Sequence, residues 1–172
     1  SLPNPPPMTD ALQRLIEALR DELQQYGEML ALLDQQQEQV CARVADDLLS
    51  TVAHIQEHGT VMQGARRQRE ECRTAVARTL GLHDEATFLE LLPRLPVNFR
   101  PLVQALVDEN NDLLRRVQQR ARQNHFLLSR SMELMQSVIG SLVPQARPLT
   151  YGHAGVMASP TLPSRTLYDA VG

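Results

Sequence analysis

Two histidines and a glutamate form the one catalytic-looking motif in the sequence. His54, Glu57 and His58 fit H-x-x-E-H, the inverted zinc-protease motif. On a helix, His54 and His58 lie one turn apart and can share a zinc ion, with Glu57 as general base. Such an enzyme also needs a third ligand and a substrate cleft, and nothing in the sequence predicts a cleft. Because histidine pairs at this spacing are common on exposed helices, we predict no metal, no cofactor and no catalytic residue.

Arg66, Arg67 and Arg69 form a small basic cluster that could contact nucleic acid. The cluster lacks interleaved aromatic residues, and Glu70 and Glu71 follow it at once. The net charge of −3 provides no overall field that would attract nucleic acid or an anionic membrane. We therefore interpret the cluster as a solvated helix face with local ion pairs, and we predict no nucleic-acid partner.

Cys41 and Cys72 are the only cysteines, and neither belongs to a C-x-x-C pair or a metal-ligand cluster. On a helical hairpin, which the apolar pattern favours, they lie roughly 30 Å or more apart, too far for a disulfide. Free buried thiols in a reducing cytosol are the simpler interpretation. No segment approaches the ~18 consecutive apolar residues of a membrane span, and the N-terminus lacks a signal-peptide layout. We predict a cytoplasmic protein without membrane insertion.

The chain that carries these residues is predicted to be helical almost throughout. Aromatic residues make up only 3% of it, so the core must be aliphatic, as in interdigitated helices. Residues 1–8 are proline-rich and are predicted to be a disordered leader, and Thr9 or Asp10 is predicted to cap the first helix. Apolar residues then alternate at spacings of four and three, with a predicted solvated face of Arg, Asp, Glu and Gln between them. This first seam consists of Leu12, Ile16, Leu19, Leu23, Tyr26, Leu30, Leu33, Gln37 and Val40.

A second seam begins near Leu48 after a phase slip in the apolar pattern. Asp46 and Asp47 are candidate N-caps there, so we place a turn at that point. The turn contains neither Gly nor Pro, which leaves one unbroken helix as the alternative. The equal lengths of the two halves favour an antiparallel hairpin, in which each half buries the seam of the other. Gly81 is predicted to end the second helix as its C′ glycine.

Two further helices are predicted after Gly81. A short capped helix spans residues 84–92, and proline residues stop it. A last helix runs from about Phe99 to about Val143, with Pro101 at its first position and an apolar face wider than a two-stranded seam requires. The predicted fold is therefore an all-α antiparallel bundle of three long helices and one short helix with coiled-coil-like packing. The bundle spans residues 9–143.

Among the polar residues at seam positions of these helices, three are candidates for specific contacts. Arg73 is interpreted either as a snorkelling side chain at the open end of the hairpin or as the partner of a carboxylate on the last helix. Asn124 and Ser131 lie on the last helix, where a buried amide would set register and an exposed one would contact a partner. The residues alone leave each pair of alternatives open.

The end of the last helix and the tail behind it are rich in apolar side chains. Met132, Met135 and Ile139 are interpreted either as core residues or as an adaptable groove for a partner helix, since methionine surfaces repack around different ligands. Residues 144–172 have no sustained periodicity and are predicted to be a flexible or docked partner-binding tail. Their apolar anchors are Leu149, Tyr151, Val156, Met157, Leu162, Leu167 and Tyr168.

Three motifs in order give the chain a resemblance to the FlgN-type flagellar export chaperones. Residues 124–131 resemble that family's Asn-Gly-x-Leu-Leu-x-x-Ser stretch, with His125 in place of the usual glycine. Residues 150–155 resemble its Thr-Tyr-x-x-x-Gly tail element, and residues 73–81 are similar to the Arg-x-x-Leu-Leu-x-x-Leu-Gly ending of its second helix. The resemblance covers about residues 9–155 and includes the order of long, long, short and long helices.

The resemblance implies a chaperone that is not an enzyme. Such proteins bind hook–filament junction proteins (the FlgK/FlgL type) in the cytosol at their C-terminal amphipathic helices, prevent premature assembly and deliver them to the cytosolic domain of the export gate. The alternative is a coiled-coil adaptor that self-associates through the same face, and the oligomeric state is left open between monomer and weak homodimer. The predicted partner-binding residues are Asn124, Leu127, Leu128, Met132, Met135, Ile139, Leu142, Tyr151, Gly155 and Tyr168, the last in a second Tyr-x-x-x-Gly.

Overall fold

The computed structural model describes residues 7–142 of the chain. Within this range the protein is all-α, with three long helices, one short helix, one 3-10 turn and no strand, which confirms the predicted fold class. None of these helices is both long and apolar enough to cross a lipid bilayer. The helices are α1 (Met8–Ala42), α2 (Ala45–Thr79), α3 (Phe88–Leu91) and α4 (Arg100–Leu142), and the 3-10 turn (Leu92–Arg94) directly follows α3.

The first helix starts earlier than the sequence predicted. Pro7 occupies the N-cap position of α1, and its carbonyl accepts hydrogen bonds from the backbone N–H groups of Asp10 and Ala11. Thr9 and Asp10 therefore lie inside the first turn, and the prediction that one of them caps the helix is wrong. Proline is suited to this boundary because its ring prevents any residue before it from extending the helix.

The predicted hairpin of α1 and α2 is confirmed, but its turn is built differently. Arg43 adopts a left-handed conformation with φ of 57°, and its N–H donates to the carbonyl of Val40. Val44 takes the N-cap position of α2, so the prediction of aspartate caps is wrong. Asp46 and Asp47 lie in the first turn of α2, where carboxylates are still favourable because the helix dipole is positive there.

Gly81 ends α2 as predicted. It has a φ of 69°, a left-handed conformation that favours glycine. Its N–H donates to the carbonyl of Arg78 at 3.1 Å, and the N–H of Leu82 donates to the carbonyl of Ala77 at 2.9 Å. These two bonds form a Schellman motif and satisfy carbonyls that the end of the helix would otherwise leave without donors.

The same substitution is expected to have opposite effects at two glycines of this hairpin. Gly81→Ala should lower the free energy of unfolding by about 1 kcal/mol, because alanine is strained at a left-handed φ. Gly64→Ala should raise it by about 0.5–1 kcal/mol, because Gly64 lies inside α2 and an added Cβ meets nothing within 4 Å. Urea unfolding of both variants measures the difference. Equal effects of the same sign would contradict this account of the helix end.

The predicted short helix is shorter than expected at its start. α3 begins only at Phe88, after a capping box in which the backbone N–H of Thr87 donates to Oε2 of Glu90 at 2.8 Å. Asp84 lies outside it and accepts two hydrogen bonds from Arg78, at 2.8 and 2.6 Å. The pKa of Asp84 is lowered by this pairing, and the pKa of Glu90 by the hydrogen bond from Thr87. Asp84 thus ties the loop to the end of α2.

Two buried asparagines place α4 parallel to α1. The side-chain amide of Asn110 donates to the carbonyl of Leu19 at 3.0 Å, and that of Asn124 donates to the carbonyl of Leu33 at 2.7 Å. Both pairs are 91 residues apart, so they report one register. The same offset places the end of α1 level with Glu133. The last two turns or so of α4, about 13 Å of helix, therefore extend beyond the α1–α2 turn.

A buried ion pair joins α1 to α2. The Arg69 guanidinium donates to both Glu22 carboxylate oxygens, at 2.9 and 3.3 Å, and the Tyr26 hydroxyl donates to the same carboxylate at 2.7 Å. The side chains of Arg69 and Glu22 are completely buried. Burial and the neighbouring Glu22 both raise the pKa of Tyr26. Burial alone would lower the pKa of Arg69, but the bonds and charge of Glu22 raise it. The prediction of a solvated face is wrong at both Glu22 and Arg69.

Arg73 secures the loop after α2 rather than the last helix. Its Nε donates to Oε2 of Glu70 at 2.8 Å, and its guanidinium also donates to the backbone carbonyls of Asp84 and Ala86. The side chain is half-buried. Of the two alternatives for Arg73, the carboxylate partner on α4 is therefore wrong, because its partners are Glu70 and the loop carbonyls.

Neither cysteine forms a disulfide. Cys72 is buried as predicted, and its burial raises the pKa of the thiol. Cys41 is exposed, so the prediction of a buried thiol is wrong there. It lies in the last turns of α1, which buries no residue after Gln36.

Candidate helix-binding grooves between the hairpin and the last helix

The character of α4 changes at Asn124. The residues that α4 buries all lie between Val103 and Asn124. Beyond Asn124 the helix remains apolar in sequence, yet from Met132 onward six large apolar side chains are between 55% and 74% exposed. They are Met132, Leu134, Met135, Val138, Ile139 and Leu142. An uncovered apolar stretch of this size is typical of a surface that binds another protein.

This exposed stretch forms one wall of a groove, which we call the end groove. Its volume is about 670 Å³. The opposite wall comes from the α1–α2 turn, so that the groove lies where α4 passes the closed end of the hairpin. Its lining residues are Gln39, Val40, Arg43, Val44, Ala45, Leu48, Leu128, Ser131, Met132, Leu134, Met135, Val138 and Ile139. Arg43 is the single charged side chain among them, which makes the groove suited to an apolar ligand.

A second groove, which we call the lateral groove, lies between α2 and α4 over the middle of α1. Both helices pack on α1 and hardly touch each other, which leaves a channel of about 470 Å³. Its apolar lining residues are Met29, Leu33, Val52, Ile55, Gly59, Met62, Val117, Ala121 and Leu128. Leu128 lines both grooves. From Val117 to Ile139 the two grooves follow α4 for about 33 Å, the length of a helix of some 20 residues.

The structure brings together four of the predicted partner-binding residues. Leu128, Met132, Met135 and Ile139 all line the end groove. Leu142 is exposed at the end of α4 but does not line it. Together with Ser131, the four residues form one face of α4, on which Leu128 and Ser131 are half-buried and Met132, Met135 and Ile139 are exposed. Tyr151, Gly155 and Tyr168 lie outside the residues that the structure describes.

Two of the predicted residues lie elsewhere. Asn124 is 1% exposed, and its amide donates to the carbonyl of Leu33 and to the side chain of Gln36 at 2.9 Å. This arrangement supports its interpretation as a register-setting amide. Its side-chain oxygen finds no hydrogen-bond partner within residues 7–142, so the residue contributes specificity at some expense in stability. Leu127 is half-buried and lies against Arg120 and Phe126, in a shallow depression separate from both grooves.

Sequence reasoning missed one wall of the end groove. The apolar pattern assigns Val40 to the seam of α1, Val44 to the phase slip and Leu48 to the start of the next seam, so none was expected to face a ligand. They line the groove because the hairpin turns at Arg43 and α4 runs past that turn. A signal for the register of α4 did exist in the sequence. Asn110 and Asn124 are two heptads apart, as are the two carbonyls that they contact.

The histidine motif serves as a helix contact in this structure. His54 and Glu57 are exposed, whereas Nε2 of His58 lies 2.9 Å from the carbonyl of Gln25. Its other ring nitrogen lies 3.9 Å from the carboxylate of Glu28. Nε2 must carry a proton to bind a carbonyl, so it is not free to bind a metal in this arrangement. No group of three or more His, Cys, Asp or Glu residues within residues 7–142 could hold a metal ion.

An all-helical bundle with an apolar groove that its described part leaves uncovered has the features of a protein that binds other proteins. Comparison with known families gives the particular class. The sequence model of the FlgN protein family matches residues 8–159 of the chain. No curated protein and no solved structure shows significant similarity to this chain. The chain belongs to the FlgN family, whose members are flagellar export chaperones, and this confirms the resemblance seen in the sequence.

Proposed function

We propose that the protein is a cytosolic chaperone for hook–filament junction proteins and that it binds their C-terminal amphipathic helices. Membership of the FlgN family supports a role in flagellar export. The observation that carries the finer proposal is the end groove, because it presents an apolar surface that the described residues leave uncovered. Covering the apolar face of a client helix would prevent the client from assembling before export.

The shape of the two grooves favours a helix over an extended peptide. The grooves meet at Leu128 and run parallel to α4, so a bound helix could pack along α1, α2 and α4 as a fourth member of the bundle. Met29, Met62, Met132 and Met135 line these grooves. Methionine side chains adapt to different neighbours, which suits a chaperone that serves more than one client.

Delivery requires a second contact, and we propose that the tail provides it. Tyr151, Gly155 and Tyr168 are the candidate residues for contact with the cytosolic domain of the export gate. Tyrosine combines a large apolar ring with a hydroxyl group, which makes it effective at protein interfaces. We expect Tyr151→Ala in the full chain to weaken gate binding without changing the helix content of the bundle.

Calorimetric titration of the full chain tests this proposal directly. The ligand is the C-terminal segment of a hook–filament junction protein, and the control is the same segment with its apolar seam residues replaced by serine. We expect a dissociation constant of about 1 µM or lower for the first and no measurable heat for the second. We also expect a negative heat-capacity change, because apolar surface is buried. Absence of binding by the natural segment, or equal binding of both, would exclude this client.

A further inference from the structure

The end groove is open in residues 7–142, and the remaining chain starts at its edge. The last described residue, Leu142, lies one helical turn beyond Ile139 in the groove wall. Thirty residues follow it in the sequence, among them only three with charged side chains, Arg147, Arg165 and Asp169. An apolar groove of this size exposes apolar surface to water unless another segment covers the groove before a client binds.

We propose that residues 149–157 of the same chain cover the end groove in the unloaded protein and that a client helix displaces them. The segment contains four bulky apolar side chains within nine residues, Leu149, Tyr151, Val156 and Met157. Its occupancy of the groove would bury apolar surface of both partners at once, which is the dominant favourable term in such contacts.

The connecting chain is long enough for this contact. Tyr151 follows Leu142 by nine residues, which can span up to about 30 Å. From Ile139 back to Leu128 the groove wall measures about 17 Å along α4. A short tether also gives the segment an effective concentration on the order of 1 mM at the groove, so even a weak contact would be well populated.

Charge distinguishes this segment from the rest of the tail. Arg43 is the one charged group in the lining of the end groove. Residues 149–157 include no Asp, Glu, Lys or Arg, so they can enter an apolar groove without burying an unpaired charge. The later anchors, Leu162 and Leu167, flank Arg165, which would bring a second guanidinium close to that of Arg43.

Displacement of this segment would couple loading to delivery, a consequence that rests on the proposed function. Tyr151 would be covered in the free chaperone and become available to the gate only after a client helix has taken its place. Client affinity would be reduced by the fraction of molecules in which the groove is already covered. The gate would therefore bind loaded chaperones in preference to empty ones.

Hydrogen exchange of the full chain tests the docking without any client. The probe region is residues 131–142, most of which lie beyond the end of α1, and residues 10–20 serve as internal reference. The variant is Leu149→Ser with Tyr151→Ser, and the matched control is Leu162→Ser with Leu167→Ser. We expect exchange in the probe region to accelerate about tenfold in the variant and to remain unchanged in the control. No acceleration, or equal acceleration in both, would overturn the proposal.

Two further measurements distinguish this segment from a second copy of the chain and from the client. Exchange is repeated over a hundredfold range of protein concentration, because protection that rises with concentration would mean that a second copy covers the groove and would overturn the proposal. Titration of the Leu149→Ser, Tyr151→Ser variant with the client segment should then show affinity about tenfold tighter than that of the natural chain. If exchange changes as expected but neither protein binds the segment, the docking stands and the proposed client is wrong.

Discussion

Replacing Arg69 by methionine is expected to lower the free energy of unfolding by about 3–5 kcal/mol, because the Glu22 carboxylate would remain buried without a cationic partner. Both side chains are completely buried, and the guanidinium supplies two hydrogen bonds to the carboxylate. The Tyr26 hydroxyl supplies a third but carries no positive charge. Since natural domains are stable by only about 5–15 kcal/mol, such a loss is a large fraction of the total.

Urea unfolding followed by circular dichroism measures this effect. The matched control is Arg67→Met, which removes an exposed arginine from the same helix and is expected to change stability by less than about 0.5 kcal/mol. The double variant Arg69→Met, Glu22→Leu should recover most of the loss, because it leaves no buried charge. A loss below about 1 kcal/mol for Arg69→Met would mean that water reaches Glu22 and that the pair is not buried in solution.

Replacing Met135 by glutamate is expected to weaken client binding about 100-fold or more while leaving the bundle folded. Met135 lines the end groove and is 62% exposed, so a charge there disturbs no packing of the bundle core. In the complex the carboxylate would be taken from water into an apolar interface without a partner. A hundredfold loss corresponds to about 2.7 kcal/mol, which is within the usual cost of such a change.

The matched control for Met135→Glu is Leu89→Glu. Leu89 is also a large exposed apolar residue, at 83%, but it belongs to α3 and lines neither groove. We expect this variant to bind the client segment as the natural chain does. Calorimetric titration and thermal unfolding of both variants give affinity and stability together. If Met135→Glu binds normally, the client occupies another surface. If it unfolds, Met135 contributes to the core despite its exposure.

Much of the architecture could be predicted because it depends on near neighbours in the chain. Heptad spacing predicted the three long helices, the phase slip located the turn near residue 44, and Gly81 marked the end of α2. These signals act over one or two helical turns, where hydrogen bonds and capping are local. The errors at Thr9, Asp46 and Asp47 are also local, since side chains that suit an N-cap suit the first turn as well.

Only one wall of the candidate site, the one on α4, could be predicted from the sequence. The apolar stretch beyond Asn124 was visible in the sequence. However, the periodic pattern of an apolar helix face is the same whether a neighbouring helix covers that face or not. Only the register set by Asn110 and Asn124 shows that the last turns of α4 extend beyond the end of α1. The opposite wall, at Val44 and Leu48, depends on how the hairpin turn meets α4 and has no local signal.

By itself, the sequence determined the helical class, the order of the helices, membership of the FlgN family and the apolar character of the end of α4. The tertiary structure alone decided which polar residues are buried together and which apolar residues stay uncovered. Glu22 and Arg69 are 47 residues apart, and each looked like part of a solvated face. They meet because packing along the whole interface between α1 and α2 sets the rotation and register of α2. No short stretch of sequence specifies all the contacts of that interface.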